Sequence, residues 1–152
     1  MRATRGFIVA LLLFTQALFA SATWASHAIP VSTTFTAFGP LTISAPQGTI
    51  PCTATLVLTT DILGNLHVTQ MTLTGTSGLC EVISAEQLPW SIGLTFSNGT
   101  IQAAALEAQP FFNCNGSTFV SFSGSHLFMN GSWGVCSVSG NLAISPTLTI
   151  SP

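Results

Sequence analysis

Apolar and polar residues alternate with a period of two along most of the chain. The clearest run is residues 136–144, where Cys136, Val138, Leu142 and Ile144 are separated by serine, glycine, asparagine and alanine. Successive side chains of a β-strand point to opposite faces, so each run presents one apolar face and one face rich in hydroxyl groups. The pattern predicts antiparallel sheet with one buried face.

The alternation predicts ten strands, and turn-forming residues separate most of them. The strands span residues 32–36, 41–44, 53–60, 66–74, 91–97, 101–105, 118–123, 126–130, 135–145 and 147–150. Asn-Gly pairs at 98–99, 115–116 and 130–131 predict tight hairpin turns, because both residue types tolerate positive φ. Helix competes with strand only at residues 101–108, where Ala and Glu are frequent. Short strands at this spacing predict a single antiparallel β-sandwich of the immunoglobulin-like class.

The N-terminal segment has the composition of a secretory signal peptide. Arg2 and Arg5 form a positive region, residues 7–14 are an unbroken apolar run, and small residues follow. A membrane anchor is the alternative, but the run is shorter than the roughly 18 to 20 apolar residues of a spanning helix. A cleaved signal is therefore expected, and no later segment predicts a transmembrane helix.

Cleavage of this signal needs small residues at its end. Ala22 is the favoured last residue of the signal, and Ala25 and Ala28 are alternatives. The predicted organisation is a signal peptide over residues 1–25 and one β-sandwich domain over residues 26–152. The protein is then secreted to the periplasm, the cell surface or the medium.

Loss of the signal removes every basic residue except histidine. The chain has two Arg, both in the signal, and no Lys, so four acidic residues leave the mature protein with a formal charge of −4. Nucleic acid is excluded as a partner, because no cation could displace the counterions of phosphate. Charged residues make up 4% of the chain, against about 25% in an ordinary soluble domain. The polar surface must come from uncharged groups, chiefly 17 Ser and 21 Thr.

Four cysteines follow the predicted signal, at Cys52, Cys80, Cys114 and Cys136. An even number in an exported chain predicts two disulfides, and the short C-x-x-C pairs of many zinc sites are absent. Three connectivities are open. The pairing of neighbours, Cys52 with Cys80 and Cys114 with Cys136, is favoured because each pair brackets a predicted hairpin.

No residue pattern points to catalysis. The chain lacks a G-x-S-x-G turn or another nucleophile motif, and its three His do not have the spacing of a metal site. A carboxylate pair among Glu81, Glu86 and Glu107 would lack the aromatic and basic neighbours of a glycosidase site. Asp61 is interpreted as a cap of its own turn. The sequence predicts no catalytic residue, no cofactor and no metal.

Trp90, Phe111 and Phe112 are the most distinctive apolar positions. Packing under a loop is the first interpretation. The alternative is an exposed apolar patch for a hydrophobic ligand or a neighbouring subunit.

Seven segments of the mature chain carry a family resemblance. They are residues 50–55 (IPCTAT), 78–80 (GLC), 83–85 (ISA), 88–90 (LPW), 112–114 (FNC), 134–142 (GVCSVSGNL) and 145–150 (SPTLTI). Together they resemble the bacterial alkane oxidation protein activator family (PraB-like), over nearly all of the mature chain. The resemblance implies a small exported protein that assists growth on hydrocarbons, with no catalytic residues to transfer.

Three functions follow as hypotheses. The first is a non-enzymatic accessory protein that contacts hydrophobic substrate at the cell surface or outside the cell. The second is a structural subunit of a surface fibre or biofilm matrix that assembles through edge strands, which no Lys guards in this chain. The third is a hydrolase whose site carries no recognisable motif.

Overall fold

The computed structural model describes residues 25–76 and 78–152, so residues 1–24 of the predicted signal lie outside the described part. The described residues form eleven β-strands. They are β1 (His27–Ile29), β2 (Thr34–Ala45), β3 (Gly48–Thr60), β4 (Leu66–Thr74), β5 (Ser84–Glu86), β6 (Trp90–Thr95), β7 (Asn98–Ala108), β8 (Phe112–Ser123), β9 (His126–Trp133), β10 (Cys136–Ser145) and β11 (Thr149–Ser151). No helix in this part is long and apolar enough to cross a membrane.

Eight of the strands close into a barrel. Each of β2, β3, β4, β6, β7, β8, β9 and β10 pairs antiparallel with the next of them in sequence, and β10 then pairs back onto β2. The all-β class is therefore confirmed, but the predicted immunoglobulin-like sandwich is wrong. Alternation shows only that one face of each strand is buried. That face can be buried between two facing sheets or inside one sheet closed on itself, so the pattern does not distinguish a sandwich from a barrel.

Glycines on the inner face allow the first and last barrel strands to approach closely. A Cβ on Gly39 of β2 would meet the backbone oxygen of Asn141, and one on Gly140 of β10 would lie 2.6 Å from Leu41 Cδ1. The register between β2 and β10 runs without a shift past these positions. Because glycine has no side chain, glycines on the inner face leave room for the strong sheet curvature that barrel closure requires.

The predicted Asn-Gly turns are wrong, because all three pairs lie inside strands. Asn98-Gly99 begins β7, while Asn115-Gly116 and Asn130-Gly131 lie within β8 and β9. The β6–β7 turn is Phe96-Ser97 instead. Gly99 lies on the inner face, where a Cβ would be 2.9 Å from Ile92 Cγ2, so inward packing explains this glycine better than turn geometry.

The barrel is filled by side chains. The inward positions are mostly apolar and almost fully buried on every barrel strand, with Thr118 of β8 as a fully buried polar exception. Packed side chains are expected for eight strands, whose interior is just wide enough for them. Trp90 of β6 and Trp133 of β9 meet edge to face with ring centroids 5.5 Å apart. Because β6 and β9 are not neighbours in the sheet, this contact crosses the interior.

The two ends of the barrel are closed differently. One end, here called the mouth, carries the β2–β3, β7–β8 and β9–β10 turns and the connection from β4 to β5. The opposite end carries the β3–β4 and β6–β7 turns, and the small β1–β11 sheet lies there. Ala28 of β1 is fully buried and donates its N–H to Gly64 O at 2.9 Å, so β1 is part of the folded domain.

Candidate functional site

Trp90 belongs to the core and not to a contact surface. It is 1% exposed, and its indole Nε1 donates a hydrogen bond of 2.7 Å to Glu86 O. The ring is therefore satisfied within the chain by one polar contact and by its contact with Trp133. The structure separates Trp90 from Phe111 and Phe112, with which the sequence grouped it.

Phe111 and Phe112 lie together at the mouth of the barrel and line a pocket of about 320 Å³. This mouth pocket is lined by Gln47, Ile50, Leu79, Val82, Ala108, Phe111 and Phe112. Ile50, Ala108 and Phe112 occupy inward positions on β3, β7 and β8, so the pocket continues the apolar interior towards solvent. Barrel mouths are common ligand sites, and the volume lies at the low end of those that hold small molecules.

One disulfide positions part of the pocket. Cys52 of β3 is bonded to Cys80, which follows Leu79 directly. The bridge holds the β4–β5 connection against β3, and the N–H of Gly75 donates to Glu81 Oε1 at 2.9 Å within the same connection. The disulfide and the hydrogen bond therefore fix the position of Leu79 and Val82, which lie on this connection and line the pocket.

The second disulfide joins Cys114 to Cys136. It connects β8 to β10 beyond Phe119–Asn130, the last pair of the β8–β9 ladder at the mouth. Both bridges therefore reinforce the mouth end. The observed connectivity is the neighbour pairing that the hairpin spacing favoured.

A polar contact spans the rim of the mouth. Gln47 Nε2, in the β2–β3 turn, donates a hydrogen bond of 2.5 Å to the backbone oxygen of Phe111 in the β7–β8 turn. The amide N–H of the polar lining residue is thus used within the protein. The remaining lining side chains are aliphatic or aromatic, so the pocket suits an uncharged apolar molecule and offers no group for proton transfer.

The carboxylates and histidines lie outside this pocket. His67 Nδ1 is 3.3 Å from Ser91 Oγ, a cross-strand contact between outward side chains of β4 and β6. The nearby Asp61 carboxylate accepts hydrogen bonds from Leu63 N and from both nitrogens of Asn65, as expected for a turn cap. The side-chain hydrogen bond from Asn65 is the main reason that the pKa of Asp61 is lowered from 3.8.

Groups of three or more potential metal ligands are absent from the described residues. His126 stacks on Phe128 and has its Nδ1 2.9 Å from Asn141 Oδ1. Ser84 Oγ donates to Glu86 Oε1 at 2.8 Å. Each of these contacts lies on the exposed outer face, where a sheet edge or strand end explains it.

Sequence reasoning missed much of the pocket lining. Ile50 and Ala108 look like ordinary inward residues, and only the end of the barrel makes them accessible. Leu79 and Val82 flank Cys80 in the sequence. Two large apolar residues next to a cysteine in a loop were the sequence feature that could have indicated this part of the pocket.

Comparison with known proteins gives one family. The model of the family described as alkane oxidation protein activator PraA/PraB-like matches residues 1–152, the whole chain. Comparison with curated proteins and with solved structures yields no match.

Proposed function

Because the chain belongs to the PraA/PraB-like family of alkane oxidation activators, we propose that it is an exported accessory protein that contacts hydrophobic substrate without transforming it. The mouth pocket carries this proposal. Its lining is apolar, it opens to solvent, and no lining side chain could act as acid, base or nucleophile. An activator of this kind would present or deliver the alkyl chain, and another protein would oxidise it.

Export is supported by the two disulfides, which indicate an oxidising compartment outside the cytoplasm. The predicted signal peptide agrees with this location. We place the protein at the cell surface or in the medium, where it would meet water-insoluble substrate.

The mature N-terminus is predicted to lie at or before Ser26. Ser26 Oγ accepts a hydrogen bond of 2.8 Å from Phe96 N, and Ala28 is fully buried, so cleavage after Ala28 would remove β1 from the fold. Cleavage after Ala22 or Ala25 leaves these contacts intact. Intact-mass measurement of the exported protein checks this, and a mature chain that starts at Ile29 would contradict it.

The mouth pocket is predicted to bind an uncharged apolar probe, and Val82→Asp is predicted to weaken binding at least about tenfold. A carboxylate beside the bound probe would have to lose water without gaining a partner. N-phenyl-1-naphthylamine fluorescence, with 1-dodecanol as competitor, measures the affinity. Val82 is 52% exposed, so the change itself should leave the fold intact.

Val135→Asp is the matched control for this experiment. Val135 lies in the β9–β10 turn at the same end of the barrel and is 67% exposed, but it does not line the pocket. We expect its affinity to stay within about twofold of wild type. Equal affinities of Val82→Asp and the wild-type protein, or no binding by wild type, would remove the support for the proposal.

Barrel closure weakens the fibre hypothesis. Every strand of the closed barrel has a ladder partner on both sides, which removes most of the free edges through which strands add. Within the described residues, unpaired edges remain on the short strands β1, β5 and β11 and on residues 69–74 of β4, beyond the β6 ladder. Contact with apolar substrate is therefore the function that the geometry favours.

A further inference from the structure

Exposed apolar side chains gather at the barrel end opposite the mouth. The cluster, here called the apolar tip, consists of Ile29, Val31, Ile62, Leu63 and Phe96. Ile62 is 80% exposed and Phe96 is 69% exposed. These are large values for such side chains, and clustered exposure of this kind marks an interaction surface.

Three chain segments form the tip, and hydrogen bonds tie them together. Ser32 N donates to Asp61 O at 3.2 Å, which joins the segment after β1 to the β3–β4 turn. Phe96 N donates to Ser26 Oγ at 2.8 Å, which joins the β6–β7 turn to the segment before β1. Since β4 and β6 are neighbours in the sheet, the two turns lie side by side on the rim.

The backbone of Phe96 supports a function for its exposure. Its φ is 52°, a region that bulky residues seldom occupy and that glycine or asparagine adopts at less cost. The side chain points largely to solvent, so burial of the ring does not offset the backbone strain. Backbone strain that packing does not offset is typical of a functional position.

Asp61 keeps the β3–β4 turn in a shape that exposes its apolar pair. Its carboxylate accepts hydrogen bonds from Leu63 N at 2.8 Å and Asn65 N at 2.9 Å. The charge is therefore directed into the turn. Ile62 and Leu63 stand outside it, on the solvent side.

We propose that the apolar tip docks on the surface of a liquid hydrocarbon droplet. Residues 26–152 contain no Lys or Arg, so the tip lacks the cations that would attract an anionic lipid surface or an acidic protein. The tip is made of exposed turn and loop residues, and a fluid apolar phase can adapt to such a surface where a rigid partner pocket would have to match its shape. The hydrocarbon is chosen on the basis of the proposed function, and docking at the tip would leave the mouth pocket facing water.

The test is adsorption to a hexadecane–water interface, which pendant-drop tensiometry measures as a fall in interfacial tension. The tip variant is Ile62→Ser, Leu63→Ser and Phe96→Asn in one chain. The matched control replaces three exposed phenylalanines on the barrel wall: Phe38→Ser, Phe119→Ser and Phe128→Ser. The tip variant should need at least about tenfold more protein for the same fall in tension, and the wall variant should stay within about twofold of wild type.

Phe96→Gly separates loss of docking from loss of folding. This change removes the strain at φ 52°, so its melting temperature should equal or exceed that of wild type. Its adsorption should nevertheless fall. A Phe96→Gly chain that adsorbs like wild type would count against Phe96 as a docking residue.

Three outcomes would overturn the proposal. They are equal adsorption by the tip and wall variants, a wild-type dimer that the tip variant converts to monomer in light scattering, and tip-dependent binding to phosphatidylcholine vesicles without adsorption to hexadecane. Naphthylamine binding at the mouth is measured on the same variants. Failure at the mouth with a tip effect retained would refute the proposed ligand pocket alone, and the reverse result would refute the tip alone.

Discussion

Removal of the Cys52–Cys80 bridge by paired substitution to alanine is expected to lower the free energy of unfolding by about 3.5 kcal/mol. The bridge closes a loop with a sequence separation of 28 residues, and restriction of the unfolded chain over such a loop accounts for that magnitude. Removal of Cys114–Cys136, with a separation of 22 residues, should have a similar effect. Alanine is chosen because all four cysteines are buried and a serine hydroxyl would add its own cost.

Urea unfolding, followed by tryptophan fluorescence, measures these changes through the transition midpoint. The two bridges differ in one expected respect. Loss of Cys52–Cys80 should also weaken naphthylamine binding at the mouth, because this bridge holds the connection that carries Leu79 and Val82. Loss of Cys114–Cys136 should affect stability more than binding. Midpoints equal to that of wild type in both variants would show that the bridges do not stabilise the mature protein.

The long strands were predictable because burial of one strand face leaves a period-two record in the sequence. Residues 66–74 were predicted as a strand and form β4 with the same limits. Strand β2 was predicted as two strands, residues 32–36 and 41–44, and β7 was predicted too short, as residues 101–105, since Pro40 and the Asn-Gly pair at 98–99 look like breaks. Pro40 instead lies within β2 at an exposed, outward position, where it pairs with Thr53.

Barrel closure was not predictable from the alternation of apolar and polar residues. It depends on the pairing of β2 with β10, which lie about 100 residues apart in the chain, and alternation carries no information about such partners. The inward glycines were the available signal. Gly39 and Gly140 interrupt apolar faces on the two strands that close the barrel. A glycine at such a position can indicate that another backbone approaches closely, although a turn or a bulge gives the same signal.

The candidate site residues also differ in how far the sequence alone could identify them. Phe111 was recognisable because two adjacent phenylalanines break the alternation beside Pro110. Trp90 is buried, as its first interpretation held, but it lies on a strand and not under a loop, because it is the first residue of β6 and faces inward. Ile62, Leu63 and Phe96 carry a local signal of another kind, because apolar residues in tight turns contradict turn preferences.

The distribution of exposed apolar groups connects both sites to one function. Within the described residues, the mouth end exposes Leu79, Val82, Phe111 and Val135, and the opposite end exposes the apolar tip. The wall between them carries no Lys or Arg and consists largely of Ser and Thr, apart from the exposed phenylalanines Phe38, Phe119 and Phe128. Such a molecule has two apolar ends and an uncharged middle that is mostly hydrophilic, which suits contact with both water and hydrocarbon and requires no ionic attraction to either.

Replacement of Trp90 by alanine is expected to destabilise the protein by about 3 to 5 kcal/mol, the range found when a large buried aromatic side chain is lost. The change would remove the edge-to-face contact with Trp133 across the barrel and leave a cavity that the rigid strands cannot fill. Urea unfolding is the measurement. A loss below about 1 kcal/mol would mean that the interior is not packed around these two rings.

Phenylalanine substitutions separate packing from hydrogen bonding at this pair. Trp90 Nε1 donates to Glu86 O, whereas Trp133 Nε1 is buried and has no partner within the described residues. Trp90→Phe should therefore cost about 1 kcal/mol more than Trp133→Phe, because only the former breaks a hydrogen bond. Phe119→Ala, on the exposed wall, should change stability by no more than about 0.5 kcal/mol. If the two tryptophan variants were equally stable, the Trp90–Glu86 contact would have no role in holding the segment between β5 and β6.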